Sequence, residues 1–239
     1  MHEVVWSDLN CFIGRSAHIP SLLDDLGSGD EEASSDAYEL LAYDLAWNEN
    51  VFEATPYAIR AIVKRLARHE IAHPQGALAL LGIFGNGARA SPEKIQWRGQ
   101  EVDLTTLCQD LVESELDLYV GYLSSDDSRL GALEVISTFR GRVDEAASAL
   151  HGAAGRANSI EARKEILKAI DDLREWNEPD GGRSDSFSSH HDPAIQARVA
   201  RKHAIVARIA RGEHDRPIRR GLILSIRQRL LRMIRRGWN

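Results

Sequence analysis

The stretch that decides the fold reads IPSLLDDL at residues 19–26, and its hydrophobic pattern returns 40 positions later as IRAIVKRL at residues 59–66. The dipeptide Leu40-Leu41 returns at the same offset as Leu80-Leu81. Within each stretch the apolar residues recur at helical spacing. A period of this size is typical of stacked helix pairs, because one pair cannot bury its apolar face alone. The pattern therefore predicts an all-α helical-repeat fold.

Caps and stop signals predict where the elements begin and end. Thr55 followed by Pro56 predicts a helix start with Thr55 as the N-cap. Asp103 is expected to cap one long helix that runs to Val120 or Leu123. Residues 6–18 are expected to form a short helix at most. A turn or hairpin is expected at 97–101, and further helices are expected at 19–26, 77–84, 130–139, 143–151 and 159–176.

Composition limits the class of protein. Of the 239 residues, 43% are hydrophobic, which is enough to form a globular core. No run of about 18 apolar residues occurs, so no transmembrane segment is expected. The first ten residues lack the basic start and apolar run of a secretory signal. These features predict a cytoplasmic protein.

Charge is distributed unevenly along the chain. Residues 194–239 hold 13 Lys or Arg against two acids, a net charge of +11, and because the whole chain carries −6, residues 1–193 carry −17. A Gly, Ser and Asp rich stretch separates the acidic and basic parts. We therefore expect a helical-repeat domain at 1–177, a flexible linker at 178–193 and a basic amphipathic helical hairpin at 194–239, which can also serve as the terminal repeat.

Three roles are open for the basic hairpin. It can dock on the acidic body as a last repeat, bind nucleic-acid phosphates, or lie on an anionic membrane surface. Its candidate anion-binding residues lie opposite or beside the apolar stripe of the last helix; they are Arg227, Arg229, Arg232, Arg235 and Arg236.

A family resemblance is carried by residues 47–66, which read WNENVFEATPYAIRAIVKRL. This segment resembles the loop-and-helix unit of bacterial HEAT-repeat (armadillo-like) proteins, where a short polar loop precedes Val-Tyr/Phe-x-Ala-Thr and an apolar helix. The repeat register extends the likeness to residues 19–140. The resemblance implies a right-handed α-solenoid, here of about four helix pairs. It transfers no catalytic residue, because the group has no single activity, and it does not include the basic hairpin.

One string suggests metal chemistry. His69-Glu70-Ile71-Ala72-His73 matches HExxH, in which two imidazoles on one helical face hold zinc and the Glu activates its water. However, Pro74 follows at once and disfavours a helix through His73. Ala79 stands where a metzincin needs its third ligand. We therefore interpret the string as an inter-helix turn, with His69, Glu70 and His73 disfavoured as zinc ligands.

Other metal signals are weaker. Cys11 and Cys108 are too few and too distant in sequence to suggest a disulfide framework or a metal cage, so reduced, part-buried thiols are expected. His190-His191-Asp192 lies in the expected linker, where adjacent imidazoles share a metal poorly. No cofactor is expected.

The function that these features favour is non-catalytic protein binding. An acidic body attracts a partner with a basic surface, so we expect a binding module, such as an immunity protein that neutralises a bacterial toxin by occluding its active site. Candidate partner-binding residues are Trp47, Glu49, Glu53, Asp126 and Asp127. The alternatives are a nucleic-acid-binding repeat protein on a scaffold like that of some DNA glycosylases, and a zinc hydrolase that uses the HExxH string.

Overall fold

A computed structural model of the chain describes residues 4–47, 50–87 and 93–177. These ranges contain nine α-helices, one 3-10 turn at Trp6–Asp8 and three two-stranded hairpins. The helices are α1 Ile19–Gly27, α2 Glu31–Leu45, α3 Thr55–Ala67, α4 Pro74–Gly85, α5 Leu104–Glu113, α6 Leu116–Tyr122, α7 Asp126–Ser137, α8 Val143–Arg156 and α9 Ile160–Asn177. The predicted all-α class is confirmed for this part of the chain. The expected linker and basic hairpin lie outside it.

The helices pack in two layers. In one layer α1 contacts α3, α3 contacts α5, and α6 contacts α8; in the other, α2, α4, α7 and α9 follow one another in contact. Across the layers α1 contacts α2, α3 contacts α4, α6 contacts α7, and α8 contacts α9. Each helix therefore packs against its own partner and against helices of the neighbouring pairs, and α5 also contacts α4.

The core follows the sequence pattern. Ile19, Leu22, Leu23 and Leu26 of α1 are buried, and so are their counterparts Ile59, Ile62 and Leu66 of α3. Of the residues that repeat in the second helices, Leu41, Leu80 and Leu81 are buried, whereas Leu40 is half-buried, as is Val63 in α3. The apolar positions that repeat in the sequence are therefore the ones that form the interior of the described chain.

The most extensive helix contact is between α4 and α7, and two glycines allow it. A Cβ atom on Gly131 of α7 would lie 2.9 Å from the backbone oxygen of Gln75 and 3.0 Å from Cβ of Leu78. On the facing helix, a Cβ on Gly82 would lie 3.4 Å from Cα of Val135. The two backbones approach closely because neither position carries a side chain.

The predicted long helix after Asp103 is wrong in its extent. Asp103 is the N-cap, and its Oδ1 accepts from the backbone N–H of Thr106 at 2.8 Å. The helix is interrupted between Glu113 and Leu116, where the N–H of Glu115 bonds to the carbonyl of Val112, three residues back, and the carbonyl of Glu113 accepts from the Arg142 guanidinium at 2.6 Å. The buried Glu113 carboxylate accepts from the backbone N–H groups of Arg140 at 2.6 Å and Gly141 at 3.1 Å. This carboxylate ties the α5–α6 break to the α7–α8 turn.

Two further expectations are corrected and one is confirmed. Residues 6–18 contain the 3-10 turn and the hairpin of β1 Asn10–Cys11 and β2 Gly14–Arg15, rather than a short helix. Thr55 is the first helical residue and not the N-cap, because its hydroxyl donates to the carbonyl of Leu45 at 2.6 Å and accepts from the N–H of Phe52.

The remaining strands are β3 Ala46–Trp47, β4 Asn50–Val51, β5 Lys94–Trp97 and β6 Gln100–Asp103, and the last two form the expected hairpin.

Within the described ranges, no helix combines the length and the apolar character that a membrane crossing requires.

The α4–α7 contact gives a test of the packing. We expect Gly131→Ala to lower the free energy of unfolding by about 1–3 kcal/mol, because the added methyl overpacks the interface with α4. The measurement is urea unfolding followed by circular dichroism. Gly155→Ala in α8 is the matched control: nothing lies within 4 Å of its Cβ, so stability should stay equal or rise by up to about 1 kcal/mol. Equal effects of the two substitutions would contradict the close approach.

Candidate functional site

Three side chains with metal-binding or nucleophilic chemistry meet where the first hairpin contacts the first helix pair. Cys11 ends β1, His18 immediately precedes α1, and Asp44 lies in the last turn of α2. One ligand atom from each lies within 4.8 Å of the others. The backbone N–H of Phe12 donates to the carbonyl of Asp44 at 2.8 Å, which holds the hairpin against the end of α2. We call these three residues the Cys-His-Asp cluster.

The Cys-His-Asp cluster is well shielded from water. The side chain of Asp44 is fully buried, that of His18 is 11% exposed, and Cys11 is buried. Nε2 of His18 lies 2.6 Å from Oδ2 of Asp44. The other carboxylate oxygen, Oδ1, is buried and has no hydrogen-bond partner in the described part of the protein. A buried polar atom without a partner is costly and uncommon, so this oxygen calls for an explanation.

The thiol of this cluster is not an activated nucleophile. Burial raises the pKa of Cys11 to about 11, and the negative charge of Asp44 adds to the rise. Since the thiolate is the reactive form, a pKa this high leaves the thiol protonated near neutral pH. The arrangement therefore does not favour Cys-His hydrolysis.

An aromatic cluster adjoins these residues. The ring of Trp47 stacks on Phe12 with centroids 4.9 Å apart and meets Tyr43 edge-on at 4.7 Å, while Phe52 lies 5.9 Å from Phe12. Phe12, Trp47 and Phe52 are half-buried. Trp47, predicted as a partner-binding residue, thus belongs to a packed group of rings with part of its surface exposed.

The predicted partner-binding residues do not form one site. The Glu53 carboxylate accepts from the backbone N–H and the side-chain amide of Asn10, at 3.2 and 3.0 Å, so it lies beside the first hairpin, just before α3. Asp126 and Asp127 begin α7, after Tyr122, whose hydroxyl donates to the carbonyl of Leu66 near the other end of α3. The 13 residues of α3 separate the two places by about 20 Å. Glu49 lies outside the described residues.

Exposed carboxylates line the edge of the molecule where the α1–α2, α3–α4 and α6–α7 turns meet. Backbone contacts join the first two turns, since the N–H of Ala72 donates to the carbonyl of Gly27 at 3.4 Å. We call the carboxylates along these turns the acidic edge; they are Asp24, Asp25, Asp30, Glu31, Glu70, Asp126 and Asp127.

Some carboxylates of the acidic edge have cationic partners and others do not. Asp24 pairs with Arg65 at 2.5 Å, and Asp126 pairs with Arg129 at the same distance. Asp25, Glu31 and Asp127 form no ion pair with any described residue. Among the described residues, the acidic edge therefore keeps negative charge that no ion pair compensates.

The HExxH string does not have the geometry of a zinc helix. α3 ends at Ala67 and α4 begins at Pro74, so the string forms the turn between them, as expected. His69 has a φ of 54°, in the left-handed region, which is incompatible with a continuing α-helix. His73 is exposed, and its Nε2 lies 3.4 Å from the carbonyl of Gly29. The two imidazoles therefore do not share a helical face.

Sequence reasoning did not find the Cys-His-Asp cluster. The sequence interpretation paired Cys11 only with Cys108, which is far away in sequence, and not with His18 or Asp44. The available signal was slight, because the three residues are spread over 34 positions and join only once the hairpin and the first helix pair have formed. The candidate anion-binding arginines, from Arg227 to Arg236, lie outside the described residues.

Comparisons with protein-family models, with curated proteins and with solved structures found no match for this chain. The likeness of residues 47–66 to HEAT-repeat proteins therefore stays a prediction.

The buried pair in the Cys-His-Asp cluster gives a stability prediction. We expect His18→Ala to lower the free energy of unfolding by about 2–3 kcal/mol, because the buried Asp44 carboxylate loses its side-chain partner. Urea unfolding of the full chain measures this. His73→Ala is the control, with an expected change within about 0.5 kcal/mol, since His73 is exposed on a turn. A larger effect at His73 than at His18 would contradict the assignment.

Proposed function

We propose that this protein is a HEAT-like helical-repeat solenoid that binds a cationic protein partner and catalyses no reaction. The observation that carries the proposal is the acidic edge, where turns from three successive helix pairs present carboxylates on one side of the molecule.

The contacts between neighbouring pairs support the repeat architecture. Helices of one layer meet their counterparts in the next pair, from α2 through α4 and α7 to α9. In a stack of this kind each unit buries its apolar face against its neighbours, so the turns are left to vary and to bind. Four pairs, with the third divided between α5 and α6, agree with the number that the resemblance implies.

Local helix stability does not account for all of the acidic edge. Asp30 caps α2, since its Oδ1 accepts from the N–H groups of Glu32 and Ala33 at 3.0 and 3.1 Å. Asp126 and Asp127 lie in the first turn of α7, where a negative charge is favourable. Asp25 instead lies in the last turn of α1, where the helix dipole disfavours a carboxylate, and it is exposed without a described ion pair. A cation supplied by a partner would compensate this charge.

The partner class follows from charge complementarity. A surface with an excess of negative charge speeds association with a positively charged surface and disfavours acidic partners. Proteins that act on nucleic acids carry such surfaces around their active clefts, because they must attract phosphates. An immunity protein against a toxin nuclease would use the edge in this way, through steric and electrostatic occlusion of the cleft.

Charge reversal on the edge tests this function. Tagged full-length protein would be used to capture partners from its own cells at physiological salt, and the dissociation constant of the purified partner would then be measured. We expect a basic protein at stoichiometric yield, with affinity weakened about tenfold or more by Asp25→Lys/Asp127→Lys, because two favourable charges become repulsive.

The matched control changes the same amount of charge elsewhere. Asp144 and Asp171 are exposed; Asp144, like Asp127, lies in the first turn of its helix, at the opposite edge. Asp144→Lys/Asp171→Lys should bind the partner within about twofold of wild type, since charges beyond a Debye length of about 10 Å are largely screened. Capture of nucleic acid without a stoichiometric protein, or equal losses in both variants, would refute the proposal.

Nucleic-acid binding is the second candidate, and the +11 charge of residues 194–239 favours it. Such binding would fall steeply with salt, because cationic side chains release counterions from phosphates. Band-shift titrations of the full chain should then show affinity lost in Arg229→Glu/Arg232→Glu and kept in Asp25→Lys/Asp127→Lys. If neither salt nor the arginine substitutions change the affinity, a role for this segment is refuted.

A further inference from the structure

We propose that Cys11, His18 and Asp44 bind a divalent transition-metal ion, for which Zn²⁺ is the best fit. A thiol sulfur, an imidazole nitrogen and a carboxylate oxygen lie within 4.8 Å of one another, and each comes from a different element of the fold. This inference is independent of the acidic edge and of the proposed partner.

The donor set selects the type of metal. Zn²⁺ takes sulfur, nitrogen and oxygen ligands together in a tetrahedral arrangement, whereas Mg²⁺ and Ca²⁺ prefer oxygen alone and Cu⁺ prefers sulfur. Three protein ligands leave the fourth position to water or to another small ligand. The cluster therefore fits a zinc ion with one exchangeable ligand.

The second observation is the state of the Asp44 carboxylate. Its side chain is fully buried, its Oδ2 contacts the imidazole of His18, and its Oδ1 has no hydrogen-bond partner among the described residues. Buried carboxylates are normally paired or coordinate metals. A cation beside Asp44 would compensate the buried charge and relieve the unpaired oxygen.

Binding requires the three ligand atoms to rearrange by about 1 Å: the sulfur lies within 4.8 Å of the other two atoms, and a tetrahedral site needs about 3.6 Å. With metal–ligand bonds of about 2.05 Å, tetrahedral nitrogen and oxygen ligands lie about 3.3 Å apart. The imidazole and carboxylate atoms are now 2.6 Å apart, so they must separate by about 0.7 Å. Phe12 and Tyr43, the sequence neighbours of Cys11 and Asp44, place their rings 5.2 Å apart beside the cluster. The low exposure of the three ligand side chains themselves limits the access of water to the site.

Binding would fasten the first hairpin to the first helix pair. Cys11 belongs to β1, His18 precedes α1 and Asp44 is in α2, so one ion would cross-link three elements that are otherwise joined by packing and hydrogen bonds. Because a metal that binds only the folded form stabilises it, the ion would act as a cap on the exposed end of the helix stack.

Cobalt substitution of the full-length protein tests the site. We expect one Co²⁺ per chain, with visible d–d bands of tetrahedral cobalt and a thiolate-to-cobalt charge-transfer band, both abolished when Zn²⁺ displaces the cobalt. Cys11→Ser should remove the charge-transfer band and weaken zinc binding more than about tenfold, since even groups that only orient ligands cost that much. Cys108→Ser should leave both unchanged.

The other candidate metal ligands provide matched controls. His18→Gln should weaken zinc binding to a similar degree as Cys11→Ser. The double variants His69→Gln/His73→Gln and His190→Gln/His191→Gln should bind zinc like the wild type. If either double variant lost zinc binding and His18→Gln kept it, zinc would bind elsewhere in the protein, and the proposal would be overturned.

A measurement on unsubstituted protein covers the case in which a variant fails to fold. X-ray absorption of the zinc-loaded wild type should show one sulfur ligand at about 2.3 Å together with nitrogen and oxygen ligands at about 2.0–2.1 Å. A zinc environment without sulfur, or no zinc bound at micromolar concentration, overturns the proposal.

Discussion

The close packing of α4 against α7 is the constraint on which the rest of the structure depends. These two helices lie in the middle of their layer, and the glycines Gly82 and Gly131 bring their backbones together. That approach sets how near the third helix pair stands to the second. Dispersion and burial of apolar surface stabilise such an interface, and both fall off quickly when helices are pushed apart. The positions of the turns, and with them the acidic edge, follow from this spacing.

Much of the fold could be predicted from the sequence because its determinants are local. The apolar residues of Ile19 to Leu26 and Ile59 to Leu66 recur at helical spacing, and all of them except Val63 are buried. Pro74 correctly indicated that the HExxH string is a turn. The break after Glu113 could not be foreseen, because the backbone carbonyl of Glu113 accepts there from the guanidinium of Arg142, which is distant in sequence.

The two candidate sites also differ in how much of each could be predicted from the sequence. Acidic residues on turns are visible in the sequence, so Asp126 and Asp127 could be proposed as a docking surface before any coordinates. The Cys-His-Asp cluster could not, because no regular spacing relates its members and its burial arises only when the first hairpin folds over α1 and α2. Residues that come together only through tertiary folding show no periodic pattern in a single sequence.

The buried carboxylate of Glu113 has a mechanical consequence. By holding the kink between α5 and α6 to the loop before α8, it couples the third helix pair to the fourth at a fixed angle. The first and second pairs are braced as well, since Arg65 of α3 pairs with Asp24 of α1 and the N–H of Ala72 donates to the carbonyl of Gly27. A change of curvature imposed by a bound macromolecule would therefore have to stretch polar contacts at both of these junctions.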